Sequence, residues 1–468
     1  MLTASDPGGH AVVIGASMAG LAIAKALAGT FERVTVLDRD DLPVAAEHRR
    51  GVPQGRHLHV LLTSGREALE ELFPGVTAAM AADDALVADL GSCARMCVNG
   101  HQLALEPSGD EDVVATRPLL EAHVRRRLRE TPGVTLLERH EARRAVPSDD
   151  GRRVVGVEVA AGAGGSETET LRADLVVDCS GRRSPVPGWL EQLGYPPPEV
   201  DELHIDLQYT TRRYRLPADV LDGDLLALIA PTPDEPRGGF ITRIEGGLWL
   251  VTLAGMGGAC PPTDPAGFEA YAASLATSDV SEAIRAGDPV DEPARYRYPS
   301  NLRRRYERLR GLPDGLLVAG DAVCSFNPIY GQGMTVAALE AVTLQRMLAD
   351  GGVLEPRAWF RGIAPIVEVP WDLAIGGDLA VRCIEGRRSL QTRLVNAYME
   401  RYYRAAVHDP TLGTLFGRVT SLLEPPERLM RPATVTRVVR GNLRRRPRRT
   451  TPSAPSRPRG TAARSRRP

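Results

Sequence analysis

The chain has 468 residues, which allows two or three domains that share a large core. With 43% hydrophobic and 25% charged residues, its composition is ordinary for a soluble globular protein. The net charge of -1 gives no overall attraction to nucleic acid or to an anionic membrane. The charge is uneven, because residues 444–468 contain ten arginines and no acidic residue.

Cysteine and apolar patterns exclude several classes of protein. The six cysteines are scattered, and only Cys93 and Cys97 lie close together, without the partners of a zinc set, so we expect no metal site. Reduced thiols and the lack of a signal peptide favour a cytoplasmic location; the apolar stretch 11–27 has no basic segment before it. No apolar run is long enough to predict a membrane span.

The first motif follows a strand and opens a helix. Residues 11–38 are predicted as strand, turn, helix and strand, and Gly15-Ala16-Ser17-Met18-Ala19-Gly20 forms the turn. This is a dinucleotide-binding fingerprint with serine at the middle glycine position, and the free amides of the helix N-terminus suit a pyrophosphate. Asp38 ends the second strand, where a carboxylate can bind ribose hydroxyls. The motif predicts a dinucleotide site without separating FAD from NAD.

The middle of the chain changes character several times. Residues 53–75 are predicted to be helical, 85–116 to form short strands, and a helix to open at Thr116-Arg117-Pro118. Residues 203–254 alternate with a period near two and predict an antiparallel sheet that faces the substrate. Residues 355–440 are predicted to be helical, and the last 25 residues to be disordered.

A second motif lies three hundred residues after the first. The strand Leu317–Ala319 ends in Gly320-Asp321, which places a carboxylate beside a polyol. Gly331-Gln332-Gly333 then opens another helix, whose N-terminus can stabilise the anionic pyrimidine edge of a reduced flavin. Together the two motifs favour FAD.

The predicted fold class is α/β: a Rossmann-like FAD-binding core, an antiparallel β-sheet substrate domain and a helical C-terminal region. The FAD-binding domain is drawn from three parts of the chain, 8–90, 111–200 and 296–350. The other segments are a substrate-layer insertion (91–110), the antiparallel-sheet substrate domain (201–295), the C-terminal helical region (351–443) and the basic tail (444–468).

The pair GASMAG and GDAVCSFNPIYGQGM resembles the p-hydroxybenzoate hydroxylase class of FAD-dependent monooxygenases over roughly residues 10–350. Within that class, three segments are most similar to actinobacterial polyether epoxidases of the monensin and lasalocid type. These segments are HRRGVPQGRHLHVLL (48–62), ATRPLLEAHVRRRL (115–128) and DLVVDCSGRRSPVPGWL (174–190).

The resemblance implies roles for individual residues. The first motif holds the pyrophosphate, Asp38 the ribose, Arg117 the FAD linker and Asp321 the ribityl chain. Arg49, Gln54, Arg56 and His57 lie on the loop after the second strand, and one of its arginines contacts the cofactor. The candidate cofactor-binding residues are Gly15, Ser17, Met18, Ala19, Gly20, Asp38, Arg39, Arg56, Arg117, Asp321, Pro328, Gly331, Gly333 and Met334. No side chain is assigned as a catalytic base.

Two departures from the class matter. Ser180-Gly181 stands where the class has Asp-Gly, a pair tied to both FAD and nicotinamide binding, so direct reduction by NAD(P)H is open and a separate flavin reductase is an alternative source of electrons. Cys324 stands where the class often has histidine, and we interpret it as a small packing residue.

Other polar groups admit simpler interpretations. His57 and His59 are spaced i, i+2 and would point to different sides of a helix, so a shared role is not expected. Tyr209, Arg212, Arg213 and Tyr214 suit either a substrate or a solvated face, and Arg303-Arg304-Arg305 suits a solvated helix face. The basic tail lacks interleaved aromatic residues and is interpreted as inert.

The resemblance implies that reduced FAD captures O2 as a C4a-(hydro)peroxide and transfers one oxygen atom to a small apolar natural product, as in alkene epoxidation. An aromatic hydroxylase, a reductase of prenyl double bonds and a flavin-binding partner protein without turnover remain alternatives. A flavin-dependent halogenase is disfavoured, because the sequence has a single lysine, Lys25, and lacks the Trp-x-Trp-x-Ile-Pro signature of that group.

Overall fold

The structure, a computed structural model, describes residues 9–162, 165, 167–349 and 354–443. The strands, numbered in chain order, are β1 (His10–Ile14), β2 (Arg33–Leu37), β3 (Val60–Leu61), β4 (Leu86–Ala88), β5 (Ala94–Val98), β6 (His101–Gln102), β7 (Asp112–Val114), β8 (Val134–Leu137), β9 (His140–Pro147), β10 (Val154–Ala161), β11 (Thr168–Arg172), β12 (Leu175–Asp178), β13 (Val200–Arg215), β14 (Leu226–Ile229), β15 (Arg237–Ile244), β16 (Leu248–Gly255), β17 (Asp288–Pro289), β18 (Ala294–Arg304), β19 (Leu316–Val318) and β20 (Cys324–Ser325). The helices are α1 (Met18–Leu27), α2 (Thr63–Leu72), α3 (Val76–Ala82), α4 (Leu90–Cys93), α5 (Arg117–Arg129), α6 (Val186–Gln192), α7 (Pro265–Ala273), α8 (Asp279–Arg285), α9 (Gly333–Ala349), α10 (Pro356–Asp378), α11 (Leu390–Ala406), α12 (Pro410–Thr420) and α13 (Pro432–Leu443).

A parallel sheet with the order β19-β12-β1-β2-β8 forms the centre of the core. The strands β1, β12 and β19 are short and buried along their whole length, as expected where both faces of a parallel sheet are covered. Helix α1 packs on this sheet together with α5 and α9. The sheet joins strands that lie three hundred residues apart, so the core closes only when the last segment is in place.

An antiparallel sheet forms the second layer, with the path β20-β18-β13-β16-β15-β14-β5-β6. Its long strand β13 pairs with β16 on one side and β18 on the other. The strand β5 joins by parallel pairing with β14, so residues from 94 onward enter this layer. The alternation of residues 203–254 therefore predicted the sheet correctly.

The C-terminal helices cover the free edge of the antiparallel sheet. Helices α11, α12 and α13 share an apolar cluster with Leu103. The amide of Ala104 donates to the carbonyl of Ala406, which ties this cluster to the segment after β6. With the parallel core, the antiparallel sheet and the C-terminal helices in place, the predicted fold class is confirmed.

Two local predictions are wrong. Residues 53–75 are not one helix but a short 3-10 turn, the strand β3 and the helix α2, because Pro53 and Gly55 favour a turn. Arg303 and Arg304 end the strand β18, with Arg305 directly after it, and all three are buried. Glu307 is a nearby partner, but Asp201, Glu368 and the carbonyl of Ala322 are distant in sequence, so periodicity does not reveal them.

The domain boundaries stay a prediction, and the basic tail at 444–468 lies outside the described residues. Within the described ranges, no helix combines the length and the apolar character needed to cross a bilayer.

Candidate functional site

A cavity of about 1300 Å³ lies where the two sheets and the C-terminal helices meet. Three loops at the carboxyl ends of the parallel strands form one end of its wall. Ser17 follows β1, Cys179 and Gly181 follow β12, and Asp321 follows β19. Ligands of open α/β sheets bind at this edge, so the position agrees with a cofactor site.

The turn after β1 brings the backbone into very close contact. Gly15 has a φ of +100°, a conformation that favours glycine. A Cβ atom on Gly20 would lie 1.7 Å from the carbonyl oxygen of Gly15, so only glycine lets α1 pack this tightly. The Asp38 carboxylate accepts hydrogen bonds from the Ala16 amide at 2.7 Å and the Asp40 amide at 2.9 Å. Asp38 thus holds the turn itself.

A buried ionic cluster stands against the N-terminus of α1. The Glu121 carboxylate accepts hydrogen bonds from Ser17 Oγ at 2.5 Å, Arg117 Nε at 2.9 Å and Arg49 Nη2 at 2.9 Å. Burial raises the pKa of Glu121, but the charges of Arg117 and Arg49 outweigh it and lower this pKa to about 2. Arg49 Nη1 also lies 3.3 Å from Asp38 Oδ2 and 3.7 Å from Asp40 Oδ2, so its charge is matched by three carboxylates, and Arg117 is the guanidinium of this cluster that lines the cavity.

Asp321 points into the cavity from deep inside the protein. Its side chain is accessible from the cavity and forms no hydrogen bond or ion pair with another described residue. Burial raises its pKa, and the charges of Arg117 and Arg182 oppose the shift. The preceding Gly320 has a φ of +64°, and its amide donates to Glu340 Oε2 at 2.6 Å. Glu340 therefore braces the turn that aims Asp321.

The loop before α9 is fixed from behind by Asp378. The Asp378 carboxylate accepts hydrogen bonds from Asn301 Nδ2 at 2.7 Å, Asn327 Nδ2 at 2.8 Å and Tyr330 Oη at 3.0 Å. Burial raises the pKa of Asp378 to about 6. Gly331 follows with a φ of +70°, and α9 begins two residues later at the cavity wall. The C-terminal helical region thus sets the position of this loop.

The α9 N-terminus leaves polar groups free toward the cavity. Gly333 lines the wall, and a Cβ atom there would meet no described atom within 4 Å. The Oε1 atom of Gln332 is buried without a hydrogen-bond partner among the described residues. A ligand edge with hydrogen-bond donors and acceptors fits here.

The antiparallel sheet contributes an aromatic face. Tyr209 and Tyr296 are cross-strand neighbours on β13 and β18, and both line the cavity. The His57 ring lies 5.6 Å and 5.4 Å from their ring centroids. His57 Nδ1 is 2.7 Å from Thr211 Oγ1, and burial lowers the pKa of His57 to about 4. Neutral His57 is therefore part of the packed wall and not a cation.

The far end of the cavity is apolar. Its wall combines sheet residues with residues of the C-terminal helices: Met96, Leu228, Phe240, Met256, Val395, Met399, Phe416 and Leu429. Lys25 does not line the cavity; its Nζ lies 3.4 Å from Thr131 Oγ1 and over the Phe73 ring.

The structure brings most of the predicted cofactor-binding residues to one wall. Those that line the cavity are Ser17, Met18, Ala19, Arg117, Asp321, Pro328, Gly331, Gly333 and Met334. Gly15, Gly20 and Asp38 shape the first turn from behind. Arg39 and Arg56 are exposed and do not line it, whereas Arg49 of the same loop is buried against Glu121.

Sequence reasoning missed Glu121, Glu340 and Asp378. All three are carboxylates inside regular helices or at a helix end, and their partners are distant in sequence. Only the spacing of Arg117 and Glu121, one helical turn apart, carried a local signal.

The arrangement fits a flavin dinucleotide. The volume of the cavity exceeds that of common ligand sites, which is about 300–1000 Å³. The cavity therefore has room for a cofactor together with a second molecule. Two helix N-termini face it, and an unpartnered carboxylate stands between them, as pyrophosphate, pyrimidine and ribityl groups require.

Comparisons with known proteins agree with the fold. No family model matches the chain. Protein Rv3254 of Mycobacterium tuberculosis is 32% identical over 460 residues, covering 94% of this chain and 95% of that protein. Two solved structures show the same fold at low identity. A flavoprotein/dehydrogenase from Cytophaga hutchinsonii has a TM-score of 0.66 at 14% identity, covering 93% of this chain and 98% of its own. The p-nitrophenol 4-monooxygenase PnpA from Pseudomonas putida has a TM-score of 0.63 at 16% identity, covering 90% and 99%.

The relation to the mycobacterial protein spans nearly the whole of both chains, and the two structural matches cover 90% and 93% of this chain. The chain belongs to the family of Protein Rv3254 and has the fold of the flavin-dependent monooxygenases.

Proposed function

We propose that the protein is an FAD-dependent monooxygenase that inserts one atom of O2 into an apolar natural product, with alkene epoxidation as the reaction. The observation that carries this proposal is the continuity of the cavity. One wall bears two helix N-termini and Asp321, and the same space extends into the apolar chamber under the C-terminal helices.

Different residues of the cavity wall bind different parts of the cofactor. The α1 N-terminus receives the pyrophosphate; Arg117 lines the cavity beside it, and Arg49 holds Glu121 and Asp38 in place behind it. Asp321 accepts hydrogen bonds from the ribityl hydroxyls, and the backbone amides at Gly333 and Met334 face the pyrimidine edge. When bound, FAD supplies the redox chemistry and the activation of O2. The chain contributes orientation and a positive helix end that favours the anionic reduced flavin.

The chamber excludes water from the reacting carbon. Phe240 and Met256 cover it from the sheet, and Met399 and Phe416 cover it from the helices. A reactive oxygen donor held in such a chamber is protected from hydrolysis. An alkene needs no proton removed before oxygen transfer, which agrees with the apolar side chains that this end of the cavity presents.

The source of electrons is part of the proposal. Ser180 replaces the aspartate of the related proteins, and its amide donates to Asp178 Oδ1 at 3.0 Å, inside the loop after β12. NAD(P)H or an external source of reduced flavin supplies the electrons, and the rate of NAD(P)H oxidation with and without an added flavin reductase distinguishes the two.

The first test is cofactor content. The purified protein should be yellow and release about one FAD per chain on denaturation, because both flavin-facing helix ends belong to one cavity. A colourless protein that cannot be reconstituted with FAD would overturn the proposal.

The second test is the fate of oxygen. With a panel of polyenes and reduced flavin under labelled O2, mass spectrometry should find one labelled oxygen atom in an epoxide or alcohol, without added halide. A labelled phenol would indicate an aromatic hydroxylase, and an unlabelled reduced alkene a prenyl reductase. If no substrate gives a product, the remaining interpretation is a flavin-binding partner protein without turnover.

A halide-dependent product is not expected. Halogenases pass hypohalous acid to a lysine ammonium, and the single lysine of this sequence packs against Phe73 outside the cavity wall. Arginine is a poor substitute because its guanidinium stays protonated and spreads the charge.

A further inference from the structure

In the N-terminal half of α11, the face that carries Leu390 and Leu394 is exposed, whereas Asn396 on the same helix donates a hydrogen bond to the carbonyl of Gly376 in α10. The buried side chains of α11 are Tyr402, Ala405 and Ala406, all in its last two turns. Leu390 is 75% exposed and Leu394 is 63% exposed, and their i, i+4 spacing places them on one face of the helix. Helices in proteins owe most of their stability to a packed apolar face, so this half-helix is suited to a partner.

This exposed face borders the mouth of the cavity. Arg393 and Val395 on either side of Leu394 belong to the cavity wall, as does Met430, which is 49% exposed. We name Leu390, Leu394 and Met430 the mouth patch. The mouth patch therefore lies directly beside residues of the cavity wall.

The surroundings of the mouth patch are positively charged. Arg387 and Arg393 are exposed, and Arg388 donates to backbone carbonyls that include those of Leu379 and Ile384. None of these three arginines forms an ion pair with a described residue. Residues 354–443 contain thirteen arginines and nine acidic residues, whereas residues 1–353 contain fifty acidic and 35 basic residues. The segment of the chain that carries the mouth patch is thus net basic, whereas residues 1–353 are net acidic.

We propose that the mouth patch inserts into the surface of an anionic lipid bilayer, from which the apolar substrate passes into the cavity. Leucines on one helix face with arginines beside them are the composition of an interfacial helix. Anionic headgroups complement the unpaired arginines, and the acyl region takes up the leucines. The inference rests on the proposed apolar substrate, but the binding itself needs no turnover.

The experiment places a fluorescent reporter in the mouth patch. The four tryptophans, Trp189, Trp249, Trp359 and Trp371, are all buried, so a surface tryptophan gives a distinct signal. In the full FAD-loaded chain, L394W should be quenched by vesicles of phosphatidylcholine and phosphatidylglycerol that carry brominated acyl chains. V44W is the matched control, because Val44 is 80% exposed and does not line the cavity. It should not be quenched.

A second pair of variants measures affinity. L390S/L394S should partition about tenfold or more weakly into the same vesicles than the wild type, whereas V44S should partition as the wild type does. The arginine-rich tail is identical in all of these proteins, so it does not contribute to the difference between them.

Absence of quenching in L394W, or equal partition of L390S/L394S and wild type, would overturn the inference. So would a concentration-dependent blue shift of L394W without vesicles, which would show that a second copy covers the patch. Since no readout involves oxygen transfer, a protein that oxygenates substrates but ignores vesicles would contradict only this inference.

Discussion

At the scale of single residues, Asp321 combines a central position with a lack of protein partners. Its carboxylate faces the cavity and stands near the charges of Arg117 and Arg182. We expect D321A to lose about 1.5–3 kcal/mol of FAD binding, roughly a tenfold to hundredfold rise in Kd. Equilibrium titration of the apoprotein with FAD measures this change. D149A, which alters an exposed aspartate, is the control, and an unchanged Kd in folded D321A would contradict the assigned role.

Glu340 makes the stability of the protein depend on pH. Burial raises its pKa to about 8, far above the usual value, so the folded state holds a proton that the unfolded state has released. Stability should therefore fall as pH rises from about 4.5 to about 8, by on the order of 4 kcal/mol. E340Q keeps the acceptor for the Gly320 amide without the proton, and it should be more stable than wild type at pH 9 and similar at pH 5. Urea unfolding at both pH values measures the free energy of unfolding, with E169Q as an exposed control. The same change in that free energy with pH in E340Q and in wild type would contradict the prediction.

The residues that sequence could and could not find differ in kind. Gly15, Gly20 and Asp321 belong to short sequence motifs, and the backbone conformation that each motif requires can be predicted from a few neighbouring residues. Glu340 and Asp378 become part of the site only through partners 20 to 77 positions away, and no spacing rule reports such contacts. Arg49 and Arg56 show most clearly what the sequence does not predict. Both lie on one loop, and only the packing in the structure distinguishes the buried Arg49 from the exposed Arg56.

At the scale of elements, the contact between α1 and the turn after β1 admits a paired test. G20A places a Cβ atom 1.7 Å from the Gly15 carbonyl oxygen and should destabilise the protein by about 3 kcal/mol or more, with loss of bound flavin. G29A, just beyond the same helix, meets no described atom within 4 Å and should be neutral. Thermal unfolding compares the two, and equal Tm values would show that the turn relaxes without cost.

Elements with a strong period were predicted from sequence, and irregular ones were not. The strand β13 and its partners alternate over many residues, which fixed the antiparallel sheet. The segment from Pro53 to Leu72 mixes a turn, a short strand and a helix within twenty residues, too short for any period to show. The arginines at the end of β18 were predicted to be solvated because two of their counter-charges, Asp201 and Glu368, come from other elements.

At the scale of the whole molecule, the basic end of the chain should be dispensable for the core. Residues 444–468 contain few apolar side chains, and the described helices close their own apolar cluster before them. Removing these residues should leave soluble expression, Tm and FAD content unchanged. An insoluble or flavin-free truncated protein would show that the segment contributes to the core.

The order of strands in the parallel sheet has a consequence for synthesis. β1 pairs with β12, and β12 pairs with β19, so strands from residues 10, 175 and 316 lie side by side. At about 5–20 residues per second, a ribosome needs roughly 7–30 seconds to bring β19 out after β12, and during that time the edge of β12 is open. The nascent chain is exposed to wrong strand pairing during this interval. FAD cannot bind until β19 has paired with this edge, because Asp321 directly follows β19. FAD therefore stabilises the folded protein after folding and does not help folding to begin.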